Sequence, residues 1–126
     1  MRIDAIGVTS GDFAATVRFY ELLGFKFPPV VADARHLEAI TPPGEVRLMI
    51  DDAELIKSIM ARDPKPPTHS SFALLCDSPA DVDAACQRVR VAGFSVVKEP
   101  WDAFWGQRYA VVADPDGYMC DLFAPL

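Results

Sequence analysis

A chain of 126 residues with 51% apolar and 24% charged side chains has the length of one domain and enough apolar material for a core without disulfides or metals. No apolar run approaches the roughly 18–20 residues of a membrane-spanning helix, and the opening MRIDAIGVTS has no secretory h-region, so a soluble cytoplasmic protein is expected. Eighteen acidic against twelve basic residues give a net charge of −6 with the Lys and Arg scattered, which excludes nucleic-acid binding and would favour a cationic partner.

In chain order, RIDAIGV reads as a strand, and SGDFAATVRFYELLGF reads as a capped helix with Phe13, Val17, Tyr20 and Leu23 at helical spacing and Gly24 as its stop. KFPPVV, HLEAIT and EVRLMI follow as short extended runs, separated by Pro28, Pro29, Pro42, Pro43 and Gly44. A short helix is expected from Ala53 to Arg62, then a Pro-rich connector from Pro64 to Pro67. SFALLCD then reads as a strand, SPADVDAACQRVRVAGF as a capped helix ending at Gly93, and FSVVKE, QRYAVVAD and YMCDLFA as strands.

The two halves share one order and one register. Asp12 to Gly24 and Asp81 to Gly93 are both twelve residues, so L-G-F at 23–25 falls on A-G-F at 92–94. The expected fold class is therefore α+β, built of two βαβββ modules: module one at 1–62, a linker at 63–69 and module two at 70–126. Each four-stranded sheet alone would leave one face bare; pairing the two sheets gives a curved half-barrel with a concave cleft. A dinucleotide fold is excluded, since no G-x-G-x-x-G follows a strand. Cys76, Cys86 and Cys120 lack C-x-x-C spacing and lie among small or apolar neighbours, so reduced, mostly buried thiols are expected.

The repeat, F-Y-E-L-L-G-F at 19–25 and D-P-D-G-Y-M-C-D-L-F at 114–123 resemble the vicinal oxygen chelate superfamily of glyoxalases, extradiol dioxygenases and bleomycin-resistance proteins. Within it, the run from Pro100 to Leu126, with W-G-Q-R-Y-A and D-L-F-A-P-L, resembles the mitomycin-binding resistance proteins. The resemblance implies a homodimer, often with modules exchanged between subunits.

Enzymes of that superfamily hold a divalent metal on His, Gln or Glu from the first and last strands of each module. Carried over by spacing, those positions are Ala5, Met49, Ser71 and Asp121. A methyl cannot ligate, a thioether is a poor partner for a hard ion, and His69, two residues from Ser71, would sit about 6.5–7 Å along the strand. No metal and no other cofactor is therefore expected. His36 and His69, the only histidines, belong to no Ser-His or Cys-His pattern, and no catalytic residue is assigned.

What stands out is aromatic. Trp101, Phe104 and Trp105 are expected in a loop linking two strands of module two, bordering the cleft as a stacking wall for a flat ligand. The competing reading makes the Trp rings core, with Gly106 supplying a turn; Trp101 falls nearer the ligand and Trp105 nearer structure. Of Gln107, Arg108 and Tyr109, two share one face; Arg108 meets either a ligand carbonyl or a local carboxylate, and Tyr109 either the cleft or the core. D-P-D-G at 114–117 is read as a structural turn. From module one, alternation offers His36, Glu38, Arg47 and Met49, joined from module two by Ser71 and Asp121.

The expectation is a metal-free binding protein that sequesters an aromatic or quinone-like, antibiotic-type small molecule. The alternative is a divalent-metal-dependent glyoxalase-like lyase, isomerase or dioxygenase using Asp121 with His69 or Glu38.

Overall fold

A computed structural model describes residues 5–61, 63–65 and 72–126. Its elements run β1 (Ala5–Ser10), α1 (Phe13–Leu22), β2 (His36–Glu38), β3 (Arg47–Asp52), α2 (Ala53–Met60), β4 (Phe72–Leu75), α3 (Pro79–Val91), β5 (Ser95–Ala103), β6 (Gln107–Ala113) and β7 (Met119–Pro125). The α+β class is as the sequence pattern indicates, with two separate sheets and three helices. The chain divides into two compact units, Met1–Pro66 and Pro67–Leu126. Most of the expected linker, the Arg62 end of the expected second helix, His69 and Ser71 lie outside the described residues.

In the first unit, β3 is central: β1 pairs with it in parallel and β2 antiparallel. Asp12 caps α1 by accepting from the Ala15 amide, satisfying one of the donors a helix start leaves open. The buried Ser10 and Thr16 hydroxyls, 2.7 Å apart, join the end of β1 to the first turns of that helix. Gly24, at φ +99°, takes the left-handed conformation that lets the Phe25 amide turn back to the Tyr20 carbonyl. Val8, Leu37, Leu48 and Ile50 are buried from the sheet, and Val17, Phe19 and Tyr20 from the helix.

One expected strand is missing. Residues 26–31 form no strand, although the Lys26 carbonyl accepts one bond, 2.7 Å, from the Ile40 amide. Pro28 and Pro29 have no amide hydrogen to give, so the run cannot extend its pairing into a ladder.

The second unit has the full βαβββ order, with the sheet arranged β4-β7-β6-β5. β4 lies parallel to β7; the other pairs are antiparallel. Ser78 caps α3, Pro79 opens it, and Gly93 at φ +83° ends it, with the Phe94 amide bonded to the Val89 carbonyl. The helix ends repeat between halves, but the starts do not: Asp12 is a cap, whereas Asp81 lies in the first turn behind Ser78. Val82, Ala85, Cys86 and Val89 from α3 are buried with Ala110, Val112, Cys120, Leu122 and Ala124 from the sheet. Burial pushes the Cys86 thiol up to about 11, so it stays protonated and inert near neutrality.

β5 departs furthest from expectation. It continues through Pro100 to Ala103, which places Trp101 on a strand and leaves the turn to Phe104, Trp105 and Gly106. Two register shifts, between Val96 and Lys98 and between Lys98 and Trp101, absorb the extra residues, and the proline is tolerated because β5 is an edge strand.

Candidate functional site

Each sheet has one face buried by its own unit and one that remains at least partly open. On the second sheet the even positions of β6 and β7, among them Ala110, Val112, Cys120 and Leu122, are buried. Their odd neighbours Tyr109, Val111, Asp121 and Phe123 are half-buried on the other face, as alternation requires.

Pairing lines these side chains up in rows. Trp101 lies opposite Tyr109, and Tyr109 opposite Phe123, so an aromatic row crosses three strands. The Trp101 and Tyr109 centroids are 5.2 Å apart; Tyr109 and Phe123 are stacked at 6.1 Å. Trp105 folds back onto this row, edge-on to Trp101 at 6.1 Å and to Tyr109 at 5.5 Å, and its indole N–H donates to Gln107 Oε1 at 2.8 Å. Phe104 touches only the cluster's rim, 5.0 Å from Trp105, and is 98% exposed.

The neighbouring row is polar at its ends. Lys98 on β5 and Asp121 on β7 both pair with Val111 on β6. Lys98 Nζ stands 4.1 Å from the Trp101 ring centroid, a cation-π contact. Asp121 Oδ2 accepts from the Tyr109 hydroxyl at 2.7 Å. Burial first, then this bond to a carboxylate, pushes Tyr109 up to about 12, so the phenol remains a donor at neutral pH.

Arg108 lies on the opposite face of the sheet. Its Nε donates to Asp83 Oδ1 on α3 at 2.9 Å and its Nη1 to Asp102 Oδ1 on β5 at 3.1 Å. Its guanidinium fastens helix to sheet and does not reach the aromatic row.

The open face of the first sheet carries a charged chain. His36 Nδ1 is 2.7 Å from Asp51 Oδ1, its Nε2 is 3.2 Å from Glu38 Oε1, and Arg47 Nη1 donates to both Glu38 oxygens at 2.7 and 2.8 Å. The Asp51 hydrogen bond raises His36 above the usual imidazole range; burial opposes it, and the Glu38 hydrogen bond adds to the rise. Arg47 first, then His36, holds the Glu38 carboxyl below the usual carboxylate range. Met49 sits between them in register, opposite Glu38 and Gly7. Sequence reasoning passed over Asp51, whose position two residues beyond Met49 on β3 was the available signal; it also passed over Lys98 and Phe123.

A raised histidine pKa means that its interactions stabilise the fold fully below about pH 6.5, its unfolded value, and lose that contribution as pH rises through the higher folded value. The protein is therefore expected to lose more stability than a His36→Gln variant between pH 6 and pH 8.5, read as urea midpoints. Parallel curves would show that the imidazole contributes nothing to the pH dependence.

Side chains at the positions of a divalent metal do not fit one. Among the described positions Ala5 and Met49 bring a methyl and a thioether, which leaves Asp121 as a lone carboxylate. Asp51 and Glu38 meet different nitrogens of His36, whose lone pairs diverge, so the three cannot converge on a single ion. Among the described residues no group of three His, Cys, Asp or Glu could hold a metal.

This fold and these open faces belong to a known class. Residues 2–122 match the model of the Glyoxalase/Bleomycin resistance protein/Dioxygenase superfamily, and the chain is a member of that superfamily. A glyoxalase/bleomycin resistance protein/dioxygenase from Nocardioides is 25% identical, with a TM-score of 0.73 over 100% of this chain and 84% of its own. A hypothetical protein from S. aureus shares the fold at 19% identity, with a TM-score of 0.80 over 98% of this chain and 92% of its own. An uncharacterised protein of Mycobacterium bovis is 50% identical over 46 residues, which is 36% of this chain and 30% of that relative's length. No helix among the described residues is long and apolar enough to cross a membrane.

Proposed function

We propose that the protein binds a flat aromatic or quinone-like small molecule by stacking and holds it without altering it, a sequestering role suited to an antibiotic-type ligand. The observation that carries this reading is the row Trp101, Tyr109 and Phe123 with Trp105 folded onto it, on a half-buried face that the unit's own helix does not cover. Rings held by strand pairing and by one another lose little freedom when a ligand arrives, and each adds stacking of about 0.5–1.5 kcal/mol beyond burial. Bleomycin resistance proteins are named in the superfamily, and the C-terminal likeness to mitomycin-binding resistance proteins points the same way. We further propose that it works as a homodimer, to be read from its sedimentation coefficient.

Intrinsic fluorescence is the direct test, because both tryptophans of the chain lie in this cluster. Titration with planar antibiotics and simple naphthoquinones is expected to quench it saturably, in a sample whose metal content is far below one equivalent. Absence of quenching together with a stoichiometric divalent ion would replace this reading with the metal-dependent lyase, isomerase or dioxygenase one.

A further inference from the structure

The rows of the second sheet point to a more specific ligand. We infer that its open face is dipolar and selects a flat ring system with a hydrogen-bond acceptor or anion at one end, for Lys98, and a hydrogen-bond donor at the other, for Asp121. This rests on the stacking function proposed above and narrows it.

Three features support it. Lys98 and Asp121 stand at opposite ends of one row, with only Val111 between them. Adjacent strands are spaced at about 4.8 Å, so the two ends are separated by ~10 Å at the backbone, and the flexible lysine stem adjusts the reach. The apolar Val111 and the aromatic row alongside provide the floor on which a ring would lie.

The placement of Lys98 is itself unusual. Residues 98 and 101 are an odd number apart and would face opposite ways on a regular strand; the register shift between them brings both to the same face. The ammonium then lies against the Trp101 ring, and no carboxylate among the described residues forms an ion pair with it. A cation kept beside an aromatic ring without an acid partner can take an anionic or carbonyl group of a ligand stacked there. At the other end, Asp121 accepts from Tyr109 through one oxygen, and a carboxylate's two oxygens can accept several donors at once.

The test uses three probes of one shape: 6-amino-2-naphthoate, which has both ends, 2-naphthoate, with the acceptor only, and 2-aminonaphthalene, with the donor only. Calorimetric titration is expected to rank the two-ended probe about tenfold tighter than either of the others, as one added charge-assisted hydrogen bond implies. In Lys98→Met the ratio of 6-amino-2-naphthoate to 2-aminonaphthalene affinity falls to about one. In Asp121→Asn, which keeps an acceptor for Tyr109, the ratio of 6-amino-2-naphthoate to 2-naphthoate falls likewise. Equal affinities for all three probes, or ratios that neither variant changes, would overturn the dipolar assignment and leave the stacking function standing. No binding by any probe would overturn both. Lys98 is exposed, so its variant reports even if the Asp121 one folds poorly.

Discussion

Trp101→Ala weakens the binding of a flat ligand by roughly 30- to 150-fold, the equivalent of about 2–3 kcal/mol for one lost stacking surface and its buried area. Trp101 begins the aromatic row, meets Tyr109 at 5.2 Å and Trp105 at 6.1 Å, and holds the lysine ammonium over its ring. Its removal deletes a wall of the site and releases two neighbours at once. The fitting control is Phe104→Ala: Phe104 is 98% exposed at the hairpin turn, so its loss changes affinity by less than about twofold if the row, rather than general hydrophobicity, binds the ligand. Calorimetry decides the comparison, since its signal does not depend on the tryptophan being removed. Equal losses in both variants would assign binding to the exposed tip instead.

Phe19→Ala is expected to cost about 3–5 kcal/mol of stability, the range for emptying a buried aromatic site. Phe19 and Tyr20 are both 0% exposed, their rings 5.0 Å apart edge to face, and Tyr20 meets Phe25 beyond the helix end at 5.9 Å. Against a total stability of about 5–15 kcal/mol for an ordinary domain, the loss is a large fraction. Far-UV circular dichroism in urea should show the midpoint falling steeply, while Phe13→Ala, at the partly exposed start of the same helix, shifts it little. A Phe19→Ala midpoint within error of the parent's would mean that this ring is not a keystone of the first unit.

The second unit was more legible in the sequence than the first. Its Ser78 cap, Gly93 stop and alternating strands each belong to local chemistry that short windows report. In the first unit, the run at 26–31 carried β-branched and aromatic residues but also Pro28 and Pro29, and missing donors outweighed the pattern. The candidate site was legible residue by residue but not as a geometry. Tyr109 was open to either the cleft or the core and Asp121 was a candidate by spacing alone, because their hydroxyl–carboxylate bond depends on the β6–β7 register, which no single strand contains. Arg108 separated from its neighbours because strand parity turned it toward Asp83, a residue twenty-five positions earlier on α3. Lys98 was out of reach altogether, since counting by twos fails across a bulge.

That bulge makes β5 a strand with an adjustable phase. Trp101 is held by its partner Tyr109, while the residues before it lie beyond a register shift from that pair. Removing both residues between Lys98 and Trp101 would make the two adjacent in a regular strand and turn the ammonium to the helix side of the sheet. The ring row would stay and its charged neighbour would go. In a protein whose aromatic floor is fixed by three paired strands, the edge strand is thus the place where ligand preference can change by insertion or deletion, independently of the affinity that stacking supplies.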